Sequence, residues 1–141
     1  MIYTENTKKA MKLCFEAHKE QVDKTGLPYV FHPFHLAEQM QDEETTICAL
    51  LHDVVEDTDY TLEDLKNMGF SESVLEALAL LTHDDAVPYM DYVKTLSTNK
   101  IARVVKIADL KHNSDVTRLD TITEWDIARG KKYAEALKIL L

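Results

Sequence analysis

The stretch Leu50–Thr58, "LLHDVVEDT", joins an apolar run to four ionisable side chains. Ile47, Cys48, Leu50 and Leu51, followed by Val54 and Val55, keep an apolar helical pattern that begins near Asp42 or Glu43. A helix so apolar belongs in a core. His52, Asp53, Glu56 and Asp57 at its end therefore need a reason. Residues three and four apart share a helical face, so the four groups are expected as two pairs on one side, one turn apart. Acids near a helix C-terminus also oppose its dipole. Such a breach of local rules marks functional positions.

The rest of the chain reads as further helices joined by short loops. A first helix is expected from about Thr4 to about Asp23, with Ala10, Leu13, Cys14 and Ala17 on its apolar side. Gly26 and Pro28 punctuate "DKTGLPYVFHP". Pro33 suits the first position of a second helix, which places His32 at its mouth. Thr61 with Asp64 and Gly69, then Ser71 or Ser73, supply start and stop signals for two more helices. Further helices are expected over Val87–Leu96, through "NKIARVVKIADLKHNSD", and from Thr123 to the end. No alternating pattern marks a strand, and the 141 residues contain only 3 Gly and 3 Pro, which favours helix over a turn-rich sheet. The expectation is an all-α single domain over residues 1–141.

A net charge of −9 argues against nucleic acid or an anionic membrane as partner, because both require basic surface. It leaves room for a small anionic ligand held by a few local cations. Cys14 and Cys48 lie in apolar helical patterns and read as free core thiols. No signal segment or membrane-length apolar run is visible, so a reducing, cytoplasmic location is expected.

An adjacent His–Asp pair offers an imidazole nitrogen and a carboxylate oxygen, and a tight metal site needs more. His32 is one candidate. Asp109, inside an apolar helix where an unpaired carboxylate would be costly, is another. His32, His52, Asp53 and Asp109 together would be two nitrogens and two carboxylates without a thiolate, a set suited to Mn²⁺, Fe²⁺ or another divalent first-row ion. Such an ion generates hydroxide near neutral pH, and Glu56 and Asp57 would be placed to orient or deprotonate water. Spacing leaves a solvated helix end as the competing reading, and nothing local separates His32 from His35, His83 or His112.

"PYVFHP", "ALLHDVVEDT" and "VKIADLKHN", in that order, closely resemble the HD-domain hydrolases of the RelA/SpoT-homologue type, in particular the small single-domain alarmone hydrolases. The resemblance covers about Lys9 to Leu137. It implies an all-helical HD-domain bundle with a metal site in a central cleft, usually holding Mn²⁺. It further implies removal of the 3′-pyrophosphate from guanosine 3′,5′-bis(diphosphate), ppGpp, or from pppGpp. Carried over motif by motif, His32, His52, Asp53 and Asp109 become metal ligands, and Glu56 and Asp57 catalytic acids. Lys24, Asn113, Arg129 and Tyr133 become substrate-binding residues. Lys106 or Lys111 near phosphate is one reading, and solvated helix lysines is the default for both.

The chain departs from the family at two places. Asp23 stands where the family often has an Arg beside Lys24, which removes a cation–π partner for the base. "SDVTRL" replaces an "MRTL"-like run, with Arg118 as a spatial substitute. The alternative these departures keep open is another nucleotide substrate, such as the 2′-phosphate of NADPH or a nucleoside phosphate. The chain is read as a hydrolase domain without a synthetase.

Overall fold

Residues 1–141 are described by a computed structural model. It contains nine α-helices: α1 Glu5–His18, α2 Phe31–Glu38, α3 Glu43–Leu51, α4 Val54–Asp57, α5 Leu62–Asn67, α6 Glu72–Leu81, α7 Tyr89–Leu96, α8 Lys100–Asn113 and α9 Glu124–Leu140. A 3₁₀ turn, Val116–Arg118, lies between α8 and α9. The one β-type pairing is an isolated bridge between Val22 and Pro28.

Polar caps set the helix starts. Thr4, Thr61 and Thr123 each form a capping box, and Asp42, Ser71 and Asn99 accept from the backbone N–H three residues on. Gly69 (φ 93°) ends the α5 segment in a conformation that glycine adopts without strain. Two expected boundaries move. α1 stops at His18 rather than Asp23, because Gln21 to Tyr29 folds back as the paired loop that carries Lys24. α2 begins at Phe31, so Pro33 is its third residue and His32 its second.

α3 is the hub, packed against α1, α2, α6 and α8. Every residue from Thr45 to Leu51 is buried. The two threonines are satisfied locally: Thr45 Oγ1 donates to Asp42 Oδ1 (2.7 Å) and Thr46 Oγ1 to the Asp42 carbonyl (2.6 Å). Leu50 and Leu51 are fully enclosed, and each such side chain contributes about 1.5–3 kcal/mol through burial.

The expected continuous helix through Val55 is interrupted after Leu51. His52 Nδ1 donates to the Ala49 carbonyl (2.7 Å), using up one of the carbonyls freed at the end of α3. Asp53 then takes φ −104°, ψ 0°, and a second, short helix, α4, begins at Val54. His52 and Asp53 thus sit at a joint between two helices, with Glu56 and Asp57 in α4 beyond it, rather than all four along one helix.

Candidate metal centre and adjoining cavity

Three helices bring the predicted ligands together. α2 supplies His32, the α3–α4 joint His52 and Asp53, and α8 Asp109. One ligating atom each from His32, His52 and Asp109 lie within 4.8 Å of one another, and all three residues are buried. Asp53, Glu56 and Asp57 form a second group of the same kind. His52 links the two: its Nε2 is 3.1 Å from Asp53 Oδ2 and 3.6 Å from Asp109 Oδ1.

The state of His52 tests whether these residues fit a metal. A carbonyl only accepts, so the contact with Ala49 puts a proton on Nδ1. The lone pair of the neutral ring is then on Nε2, facing two carboxylates. That nitrogen is buried and makes no hydrogen bond. Burial opposes a charged ring, but Asp53 and Asp109 outweigh it and hold His52 well above the ordinary imidazole range. The site therefore calls for positive charge at Nε2. A second ring proton or a divalent cation answers that demand, and the nitrogen–carboxylate donor set suits the cation.

These side chains are held by further contacts. Asp109 Oδ1 accepts from Asn113 Nδ2 (3.0 Å) and lies 2.9 Å from His32 Nε2, while Oδ2 accepts from Lys106 Nζ (3.0 Å). Burial would raise the Asp109 carboxyl, but the Lys106 ammonium and the two histidines keep it well below the usual range. Tyr29 Oη donates to Asp53 Oδ2. His32 Nδ1 lies 2.7 Å from His112 Nδ1. Burial, followed by the charge of Arg118, lowers His112 to about 4 and keeps it neutral. Metal ligands are ordinarily fixed by such outer contacts.

Glu56 and Asp57 are exposed one turn beyond the joint. Glu56 Oε1 accepts from the His83 backbone N–H (2.7 Å). Desolvation raises both carboxyls, and the charge of Asp53 adds to it. They are thus shifted in the direction a proton acceptor working near neutrality needs.

Beside this group lies a cavity of about 470 Å³, within the range of small-molecule sites. Its lining includes Lys24, His32, Asn113, Arg118, Trp125 and Arg129. Lys24 is ion-paired with Asp126. The Arg129 guanidinium lies 4.3 Å over the Trp125 ring. Tyr133 is not in the lining; it is half-buried on the next turn of α9, 5.9 Å from that guanidinium.

Asp23 also lines the cavity, with its carboxylate committed to the turn: Oδ1 accepts from Thr25 N (2.8 Å), Thr25 Oγ1 (2.7 Å) and Leu27 N (3.1 Å). Arg118 reaches the same space from the 3₁₀ turn. Lys106, expected as a solvated helix lysine, is instead enclosed against Asp109 and the rings of Tyr89 and Tyr92. Tyr29, His112 and Trp125 had no role assigned from spacing. Helical spacing carried a signal for two of them, since His112 is three residues from Asp109 and Trp125 four from Arg129.

A family model described as HD domain matches residues 10–141. The chain is 41% identical over 148 residues to a guanosine-3′,5′-bis(diphosphate) 3′-pyrophosphohydrolase of Aquifex aeolicus (strain VF5), covering 96% of this chain and 20% of that protein. It is 34% identical to the bifunctional (p)ppGpp synthase/hydrolase SpoT of Escherichia coli (strain K12), covering 70% of this chain and 16% of the relative. The chain therefore spans a fifth or less of the length of these two relatives. Against the guanosine-3′,5′-bis(diphosphate) 3′-pyrophosphohydrolase MESH1 of Danio rerio it is 31% identical, covering 85% of this chain and 73% of the relative. A solved structure described as a metazoan ortholog of SpoT that hydrolyses ppGpp superposes with a TM-score of 0.77 over 99% of this chain and 85% of the other, at 24% identity, a likeness of fold. The family model spans all four candidate ligands, and the chain belongs to the HD-domain family, among relatives named guanosine-3′,5′-bis(diphosphate) 3′-pyrophosphohydrolases.

Proposed function

We propose that this chain is a divalent-metal-dependent phosphohydrolase that releases pyrophosphate from the ribose 3′ position of guanosine 3′,5′-bis(diphosphate), with Mn²⁺ as the ion. One observation carries the reading. His32 belongs to the buried His/Asp group and also lines the cavity that Lys24, Arg118 and Arg129 supply with positive charge. A metal-type donor set that opens directly onto a cationic cavity is what hydrolysis of a nucleotide polyphosphate requires. The names of the relatives support the substrate.

His32, His52, Asp53 and Asp109 would hold the ion, which when bound supplies Lewis acidity and lowers the pKa of water. The remaining steps belong to the chain's own groups. Glu56 and Asp57, with carboxyls raised by desolvation, orient the attacking water and accept its proton. The His83 backbone N–H holds one Glu56 oxygen in place. Arg129, which lines the cavity, offers a charge-assisted donor to phosphate. Lys24 and Arg118 add charge, and Asn113 orients the ribose side of the substrate from the face of α8 that carries Asp109. Trp125, 63% exposed, presents a flat surface for the base. Tyr133 packs behind Arg129. Arg118 supplies the cation missing at Asp23, whose carboxylate serves the turn.

The test is metal-defined hydrolysis of ppGpp with pyrophosphate release followed, wild type beside Asp53→Ala, and NADPH and nucleoside phosphates run as a substrate panel. Mn²⁺-dependent release that Asp53→Ala abolishes is expected. Metal binding with turnover of another nucleotide but not ppGpp would overturn the substrate and leave the site.

A further inference from the structure

His32 and His112 meet in an unusual way. Their Nδ1 atoms are 2.7 Å apart, and their ring planes are inclined by only 5° with centroids 4.9 Å apart. Face-to-face stacking would not bring these two nitrogens so close at that centroid separation. An in-plane contact does: each nitrogen lies about 1.1 Å from its ring centre, so two rings joined edge to edge through a hydrogen bond of normal length have centroids about 5 Å apart. The pair is therefore an imidazole–imidazole hydrogen bond with a single proton between two nitrogens.

Neutral imidazole carries one N–H. If His32 gives Nε2 to a metal, its proton is on Nδ1, and the acceptor placed there is His112 Nδ1. His112 is itself well fixed. His35 packs on its ring at 4.1 Å, and Arg118 Nη1 donates to its backbone carbonyl (2.9 Å). It stands on α8 one turn from Asp109, so a single helix carries one metal-type ligand and the partner of another.

We propose that His112 is a positioning residue of the metal centre, which accepts the Nδ1–H of His32 and so holds the ring in the tautomer that presents Nε2 to the ion. The proposal rests on the metal reading of the site. It adds to the buried group a residue that touches neither metal nor substrate.

Metal affinity tests it without recourse to turnover. Metal-free wild type, His112→Asn, His112→Gln and His112→Leu are titrated with Mn²⁺, and the free ion is followed by electron paramagnetic resonance. Asn places its carbonyl oxygen close to where Nδ1 of histidine lies, whereas Gln reaches instead toward the Nε2 position. Asn is therefore expected to keep near wild-type affinity, while Gln and Leu lose roughly 10–100-fold, the usual cost of removing an outer-shell partner. Thermal melting of the metal-free proteins establishes that each is folded. Should Leu fail to fold, the contrast between Asn and Gln decides. Equal affinity in all four proteins, or an Asn variant as weak as the Gln variant, overturns the role of His112. Failure of wild type itself to bind any divalent ion overturns the metal reading, and this proposal with it.

Discussion

His32, His52 and Asp109 are buried side chains on separate helical segments, whereas Lys24, Arg118 and Arg129 reach the adjoining cavity from a loop, a 3₁₀ turn and the first turns of α9. In the first region each group is tied by a further contact: His52 to the Ala49 carbonyl, Asp109 to Lys106, Asp53 to Tyr29, His32 to His112. In the second, one acid anchors two of the cations. Asp126 pairs with Lys24 and lies 3.6 Å from Arg129 Nη2. The difference teaches how the two regions fail. A fully tied cluster loses its function as a unit when one member goes. A cavity walled by long cationic side chains loses affinity by steps and leaves the chemistry intact.

The largest break should come at Asp109. Asp109→Ala removes a proposed ligand and strands Lys106, so on the proposed function Mn²⁺ uptake and ppGpp hydrolysis should both fall by more than about 100-fold, beyond the effect of an outer-shell change. Metal titration and pyrophosphate release check this together. Glu56→Gln sharpens the contrast within the same region. It should lower kcat by roughly 10²–10⁴-fold, the span of general acid–base catalysis, while metal affinity stays that of wild type.

In the cavity the effects should be graded. Arg129→Ala should raise KM through loss of a charge-assisted hydrogen bond worth about 1.5–3 kcal/mol, and Trp125→Ala through loss of base stacking worth about 1–3 kcal/mol. Neither should alter metal uptake; a change there would erase the distinction between the two regions.

Acid should separate them as well. The Lys24 hydrogen bond, then those from Thr123, depress Asp126 to about 2. A depressed carboxyl contributes stability above its unfolded value, about 3.9, and loses it as pH falls through the folded value. The difference in melting temperature between wild type and Asp126→Asn should therefore hold from neutrality to about pH 4 and vanish toward pH 2. The smallest effect belongs far from both regions: Thr61→Ala removes a helix cap, costs about 1 kcal/mol of stability in denaturant melts, and leaves kcat unchanged.

Much of this was legible in the chain. Thr61 with Asp64, and Thr123, announce helix starts through local hydrogen bonds that need no distant partner. The burial of α3 follows from its run of apolar residues. Asp109 stands out as a candidate ligand because a carboxylate within an apolar helix is costly unless something compensates it, whereas His32 is singled out among the histidines only by the motif "PYVFHP". The joint at His52–Asp53 was not legible. Periodicity continues through Val55, whereas the structure bonds the His52 ring to the Ala49 carbonyl and breaks the helix there.

Lys106, His112 and Trp125 mark the same limit. As a stretch of sequence, "KIADLKHN" does not distinguish a lysine pointing to water from one enclosed by Tyr89 and Tyr92, two rings brought in by α7. Nor does it separate His112 from the other histidines until α2 is packed against α8. Residue types and their spacing along the chain determined where most helices start and which side chains are candidate metal ligands, because both depend on local backbone geometry and intrinsic chemistry. Which nitrogen faces which oxygen, and which lysine loses its water, was decided by tertiary structure alone, because those contacts join residues that lie far apart along the chain.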